Sequence, residues 1–197
     1  MEVSGMEDWK EQVRQLAREL ADAPQIRREE IPDLEIYMDQ LTTYLDRRLG
    51  FYNREEGVPF VTRSMVNNYS KAGVLPPPVS KRYNRVHVMV LSLVCQLKRL
   101  FTIQDLGRLL APTGGEEQGA DALYRLFLTA QRQAFEEAPA LVDPLLDAAG
   151  EGDEALAKAA LVAQLAVRAQ RDLLLAQRVL DTMEPGEGKK QKEKKKR

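Results

Sequence analysis

The sequence predicts an all-α protein, and three observations carry that prediction. Apolar residues recur at steps of three and four along nearly all of the 197 positions. Runs that alternate apolar and polar in the manner of a strand are almost absent, and Gly and Pro fall where such helices would have to stop.

Each element follows from its own residues. The first helix is expected over Glu7 to Asp22, with Trp9, Val13, Leu16, Ala17 and Leu20 at helical spacing and Pro24 ending it. A second is expected to begin near Asp33, just after Ile31-Pro32, and to carry Leu34, Ile36, Tyr37, Leu41, Tyr44, Leu45 and Leu49 to a stop at Gly50. After a connector over 50–61, the Thr62 hydroxyl can accept an amide hydrogen of the next first turn. It would thereby cap a short helix, Arg63 to Lys71, that ends at Gly73. Leu75-Pro76-Pro77-Pro78 is then a rigid extended step, because each proline fixes φ and biases its predecessor towards extended geometry.

Asn84 caps the next helix, which runs from Val86 to Phe101, is apolar nearly all round and should therefore be the central one. Thr102 opens another short helix, Ile103 to Leu110, and Pro112 to Gly119 has loop composition. Three helices are expected beyond it, over 120–137, 140–149 and 153–183. At a rise of about 1.5 Å per residue the last would extend roughly 46 Å. Its Val162, Leu165, Ala169, Leu173, Ala176 and Leu180 follow steps of three and four, so it is either the spine of a local bundle or a dimerisation arm. The Lys-rich end, 184–197, is expected to be disordered, serving either solubility or nonspecific contact with a polyanion.

The residue inventory narrows the function. His87 is the only histidine and Cys95 the only cysteine, so a histidine-dependent catalytic constellation or a Cys/His metal site cannot be assembled within the chain. No glycine pattern of dinucleotide or P-loop type is present, and the carboxylates are scattered over helix faces. The chain is therefore not expected to be an enzyme or to need a cofactor. His87 and Cys95 lie in the most apolar segment, where a hydrogen-bonded buried histidine and a packed thiol are the expected states. A lone cysteine, no secretory leader and no uncharged apolar run near 18 residues argue for a cytoplasmic protein without a membrane span.

Charge is balanced in total and uneven in place. The net charge is -1, yet positions 62–108 hold eight Lys or Arg against Asp105 alone. The end from Lys189 adds seven basic residues against Glu193, which leaves 14 basic and 28 acidic residues for the remainder. A concentrated basic segment is the footprint of a phosphate-binding surface. On the helix after Thr62, Met65, Val66 and Tyr69 can face inward while Arg63, Asn67 and Lys71 stand outward with Ser64 and Asn68 beside them. Arg can bond guanine edges and Asn adenine edges in a bidentate manner, while Ser and Lys suit phosphates or either base class.

Val61-Thr62-Arg63-Ser64-Met65-Val66-Asn67-Asn68-Tyr69, continuing to Gly73-Val74-Leu75-Pro76-Pro77, resembles the recognition helix and wing of MerR-type winged helix-turn-helix regulators. Arg82-Tyr83-Asn84 resembles the wing exit and helix cap of that pattern, and Phe101-Thr102-Ile103-Gln104-Asp105-Leu106 the opening of the helix after it. The wing is short, Asn67 and Asn68 replace the usual Arg-aromatic pair, and a long connector precedes the helix. Closer still is a bacterial family of uncharacterised proteins with a MerR-like domain, which residues 30–110 resemble. The resemblance implies a winged helix-turn-helix-like domain (31–111), which periodicity and composition flank with an N-terminal helix (1–30), a helical bundle or dimerisation region (112–183) and the Lys-rich tail (184–197).

The expected function is that of a sequence-specific transcriptional regulator binding double-stranded DNA as a homodimer. Arg63, Ser64, Asn67 and Asn68 would meet base edges, and Lys71, Lys81, Arg82 and Arg85 would hold phosphates. Residues 112–183 could take a small-molecule effector, although no convergent polar set marks a pocket. The alternative is a helical adaptor that binds protein without reading bases.

Overall fold

The computed structural model describes residues 3–55, 57–149 and 153–183, with side chains from Trp9 onward. Among them are eight α-helices: α1 (Val3–Ala21), α2 (Met38–Leu49), α3 (Arg63–Lys71), α4 (Arg85–Leu97), α5 (Ile103–Leu110), α6 (Glu117–Glu136), α7 (Ala138–Ala148) and α8 (Glu154–Thr182). Two strands of two residues each, β1 (Ile36–Tyr37) and β2 (Arg82–Tyr83), and three 3-10 turns (Arg28–Glu30, Gly50–Tyr52 and Ala111–Thr113) complete the ordered elements. The class is all-α. The Lys-rich tail lies outside the described residues.

The chain divides into two units, one formed by Met1–Ala23 with Thr129–Arg178, the other by Pro24–Leu128 with Val179–Arg197. The larger unit is built on α4, in which every residue from Val86 to Cys95 is buried. That matches the all-round apolarity of its sequence. A helix without a wet face must be covered on all sides, and Ile26, Leu41, Leu45, Val66, Tyr69, Leu75, Leu106 and Tyr124 belong to the core that covers it.

Polar groups lock that core. The Tyr124 hydroxyl donates to the Ile26 carbonyl at 2.7 Å, the Tyr44 hydroxyl to Glu30 at 2.7 Å and the Tyr52 hydroxyl to Pro24 at 2.8 Å. Three phenols, each apolar in body and polar at the tip, thereby hold the segment from Pro24 to Glu30, which ends in a 3-10 turn over Arg28–Glu30. Gly119 allows α6 to approach the turn before it, since a Cβ there would stand 2.4 Å from the Thr113 carbonyl oxygen.

In the smaller unit α1 packs along α7. Trp9 and Ala17 share a core with Val142, Leu145, Leu146, Ala157 and Leu161, with Val13 packed beside it, whereas Leu16 and Leu20 of the expected stripe are exposed. Arg14 donates to Asp143 at 2.8 Å across the same contact.

One element departs from its expected form. Residues 33–37 are not the start of a helix: Ile36 and Tyr37 form β1, which pairs antiparallel with β2 in the register Ile36 to Tyr83 and Tyr37 to Arg82. The backbone at Tyr37 is extended, with ψ at 162°, and α2 begins only at Met38. Hydrogen bonds to a strand distant in sequence outweigh the local helical periodicity. Leu34 is consequently 76% exposed instead of packed.

His87 and Cys95 occupy the expected environments. Asn84 and His87 cap one another, the Asn84 amide donating to Nδ1 at 3.1 Å and the His87 amide to Asn84 Oδ1 at 3.4 Å. Burial lowers the imidazole pKa from 6.5 against the opposing pull of the Pro76 and Pro77 carbonyls. Burial likewise pushes the Cys95 thiol up to about 12, which keeps it protonated and unreactive.

A lowered histidine pKa means that the unfolded chain takes up a proton before the folded one does. Stability is therefore unaffected above the unfolded value of 6.5 and falls as the pH drops below it. The expected slope is up to about 1.4 kcal/mol per pH unit. Urea denaturation between pH 5 and pH 8 should show that fall, and His87→Leu, whatever its own stability, should lack it.

Candidate nucleic-acid interface

The interface is built on α3. Thr62 precedes it with extended backbone, and its hydroxyl accepts the Met65 amide hydrogen at 3.2 Å, a cap worth about 1 kcal/mol. The helix ends at Lys71, and just beyond it Gly73 takes a φ of 75°, a left-handed backbone that favours glycine. Beyond it the Val74 and Leu75 amides both turn back to the Tyr69 carbonyl, at 3.0 and 3.2 Å. Val66 and Tyr69 are buried and Met65 half-buried. Arg63, Ser64, Asn67, Asn68 and Lys71 are all exposed along the opposite face.

The start of α3 is held from two other helices. The Phe60 amide donates to the Asp46 carboxylate of α2 at 2.6 Å, and Lys98, at the end of α4, donates to the Phe60 carbonyl at 2.9 Å. Lys98 also lies 5.0 Å from the Phe60 ring centroid. Its charge thus serves the fold. So does that of Arg108, which donates to the Leu180 carbonyl at 2.7 Å and pairs with Asp181 at 3.2 Å.

A tight hairpin, the candidate wing, follows α3. The Arg82 amide donates to the Val79 carbonyl at 2.9 Å across a two-residue tip, Ser80-Lys81. Both tip residues have positive φ, 50° and 63°, the signature of a type I′ hairpin turn that normally favours Asn-Gly. Each non-glycine residue held there costs about 1 to 2 kcal/mol. Strain of this kind persists where the surrounding structure imposes it, and here it places the Lys81 ammonium at the tip.

The three candidate arginines meet carboxylates. Arg63 pairs with Asp39 in the first turn of α2. Arg82 lies 3.7 Å from Glu35 and 5.6 Å from the Tyr37 ring centroid, its partner across the two strands. Arg85 is 3.1 Å from Asp33 and 3.7 Å from Glu117, and its side chain is only 19% exposed, which makes it the least accessible of the set. Exposed pairs of this type stabilise by at most about 1 kcal/mol. No ion pair engages Lys71 or Lys81, and no side-chain hydrogen bond engages Ser64, Asn67 or Asn68, among the described residues. The structure thus gathers the eight candidates around α3, the wing and the start of α4.

A family profile described as a domain of unknown function, DUF1836, matches residues 26–127, just over half of the chain. The chain belongs to the DUF1836 family. No curated protein and no solved structure matches it. The DUF1836 segment includes all eight candidates and their four acidic partners, Asp33, Glu35, Asp39 and Glu117. Asp33, Glu35 and Asp39 are not evident as partners in the sequence. Read as the start of a helix they belong to no common face with the wing, and only the pairing of β1 with β2 brings them there.

Among the described residues no helix is long and apolar enough to cross a membrane.

The strained tip gives a direct test. Lys81→Gly should relieve the left-handed backbone and stabilise the fold by about 1 kcal/mol, a gain that urea denaturation would measure. An unchanged or lowered midpoint would show that Lys81 is not held under strain.

Proposed function

We propose that this DUF1836 protein is a sequence-specific transcriptional regulator of the cytoplasm, a binding protein and not an enzyme, that reads double-stranded DNA with α3 as a homodimer. The observation that carries the reading is the outer face of α3. It presents Arg63, Ser64, two asparagine amides and Lys71 to solvent, with the amides uncommitted inside the chain. Asn is a poor helix former, so two exposed neighbours in a nine-residue helix favour use over folding. The order of elements supports the reading too. A strand, two helices, a tight hairpin and a returning strand that pairs with the first are the parts of a winged helix-turn-helix.

In that reading α3, about 13 Å long, enters the major groove. Arg63 and Ser64 at its N-terminal end, with Asn67 and Asn68 a turn later, meet base edges. Lys71 and Lys81 hold phosphates on either side, joined by Arg82 and Arg85.

Titration against genomic fragments over a salt series tests the assignment. Arg63→Ala or Asn67→Ala should cost about 1 to 3 kcal/mol on the preferred fragments and little elsewhere. Lys81→Ala should weaken every fragment alike and lower the salt slope by about 0.9. Binding without any preference among fragments would sink the regulator reading in favour of the adaptor.

A nine-residue reading helix offers limited contact, and pairing would double it. The exposed side of α8 supports that second copy, with Val162 at 66% and Leu165 at 40% exposure and Ala169 and Ala176 between larger residues. Leu165→Lys should convert a dimer to a monomer in light scattering and reduce affinity for a two-fold site. A dimer that survives the change would place the interface elsewhere.

A further inference from the structure

The three arginines of the proposed DNA surface are each held by a carboxylate from one segment, residues 33–39, and Arg85 meets Glu117 as well. The arrangement is graded along the chain. Asp33 meets Arg85 at the start of α4, Glu35 meets Arg82 on β2, and Asp39 meets Arg63 at the start of α3. Because β1 is hydrogen-bonded to β2, the acidic segment is fastened to the wing it faces. The carboxylates are themselves open to water, with side-chain exposures of 89%, 52% and 67%. Exposed pairs are weak, so none of these contacts needs such a partner for the fold to stand.

We infer that Asp33, Glu35 and Asp39 are specificity-determining residues, built-in competitors that occupy Arg85, Arg82 and Arg63 in place of phosphate and so suppress binding of unrelated polyanions. The inference rests on the DNA-binding reading and names the regulation of that same surface.

The physical argument turns on what each kind of contact depends on. Nonspecific DNA binding is essentially all electrostatic, so it bears the full loss when arginines are already neutralised. Any phosphate that displaces a carboxylate also stays within a Debye length, about 8 Å, of the charge it displaced. Hydrogen bonds from Asn67, Asn68 and Ser64 to base edges carry no net charge and escape the penalty. A site with matching bases can therefore offset the displacement, whereas an unrelated sequence cannot. Lys71 and Lys81, which no ion pair engages among the described residues, remain for first encounter.

The test uses the full chain in three forms: wild type, Asp33→Asn with Glu35→Gln and Asp39→Asn, and a control. The control, Glu136→Gln with Glu137→Gln and Asp147→Asn, removes the same charge from exposed positions of the other unit. Retention on immobilised heparin and anisotropy of an unrelated labelled duplex are measured over a salt series. Each carboxylate is worth about threefold at low salt, so the acidic-segment variant should bind the unrelated duplex at least tenfold more tightly than wild type. It should also leave heparin at higher salt, while its preference for selected genomic fragments falls. A second comparison, Asp39→Asn in an Arg63→Ala background, should recover little of the gain that Asp39→Asn produces alone. Equal shifts in the control and the acidic-segment variant would overturn the inference. Failure of the DNA-binding reading shows separately, as wild-type protein without preference for any fragment.

Discussion

Complete burial of α4 is the constraint from which the larger unit follows. Ten successive residues without a solvent-facing position cannot be satisfied by one neighbour, so α2, α3, α5, α6 and the segment before β1 must all find places around it. The cost of that arrangement falls on backbone polar groups that the covering segments bring into apolar surroundings. Tyr44, Tyr52 and Tyr124 meet it for residues 24–30, and Asp46 and Lys98 meet it on the two sides of Phe60. The lead-in to the functional surface is thus fixed by side chains that the core itself supplies.

The surface inherits its geometry from that core. Val66 and Tyr69 anchor α3 from below, which leaves its polar residues nowhere to go but outward. His87, buried against Pro76 and Pro77 and tied to Asn84, joins the segment after α3 to α4. At the far end of the wing, two residues in left-handed backbone turn the chain within the shortest hairpin that the strands allow. A rigid base and a strained tip place a lysine at the end of the hairpin that follows α3.

The charge distribution gains meaning only when it is folded. In sequence, residues 62–108 form a basic segment with a single acid. In space, Lys98 and Arg108 are spent on structural contacts, and three arginines are answered by an acidic segment that lies before α2. What reads as a uniform basic patch is a patch in which Lys71, Lys81 and Arg99 carry no ion pair among the described residues and three arginines are already in use. That difference moves the argument for specificity from total charge to the neutral groups of α3.

Local physics made much of this legible in advance. The limits of α3 and α5, the caps at Thr62, Asn84 and Thr102, the inward and outward faces of α3 and the central place of α4 all depend on residues within a few positions of one another. Capping and amphipathic periodicity are short-range effects, so the sequence by itself determined them. The strand at Ile36–Tyr37, the pairing of Asp33, Glu35 and Asp39 with the arginines, and the union of α1 with α7 join positions far apart in the chain. Tertiary structure alone decided those, because a strand partner or an ion-pair partner leaves no local trace until the core brings the two segments together.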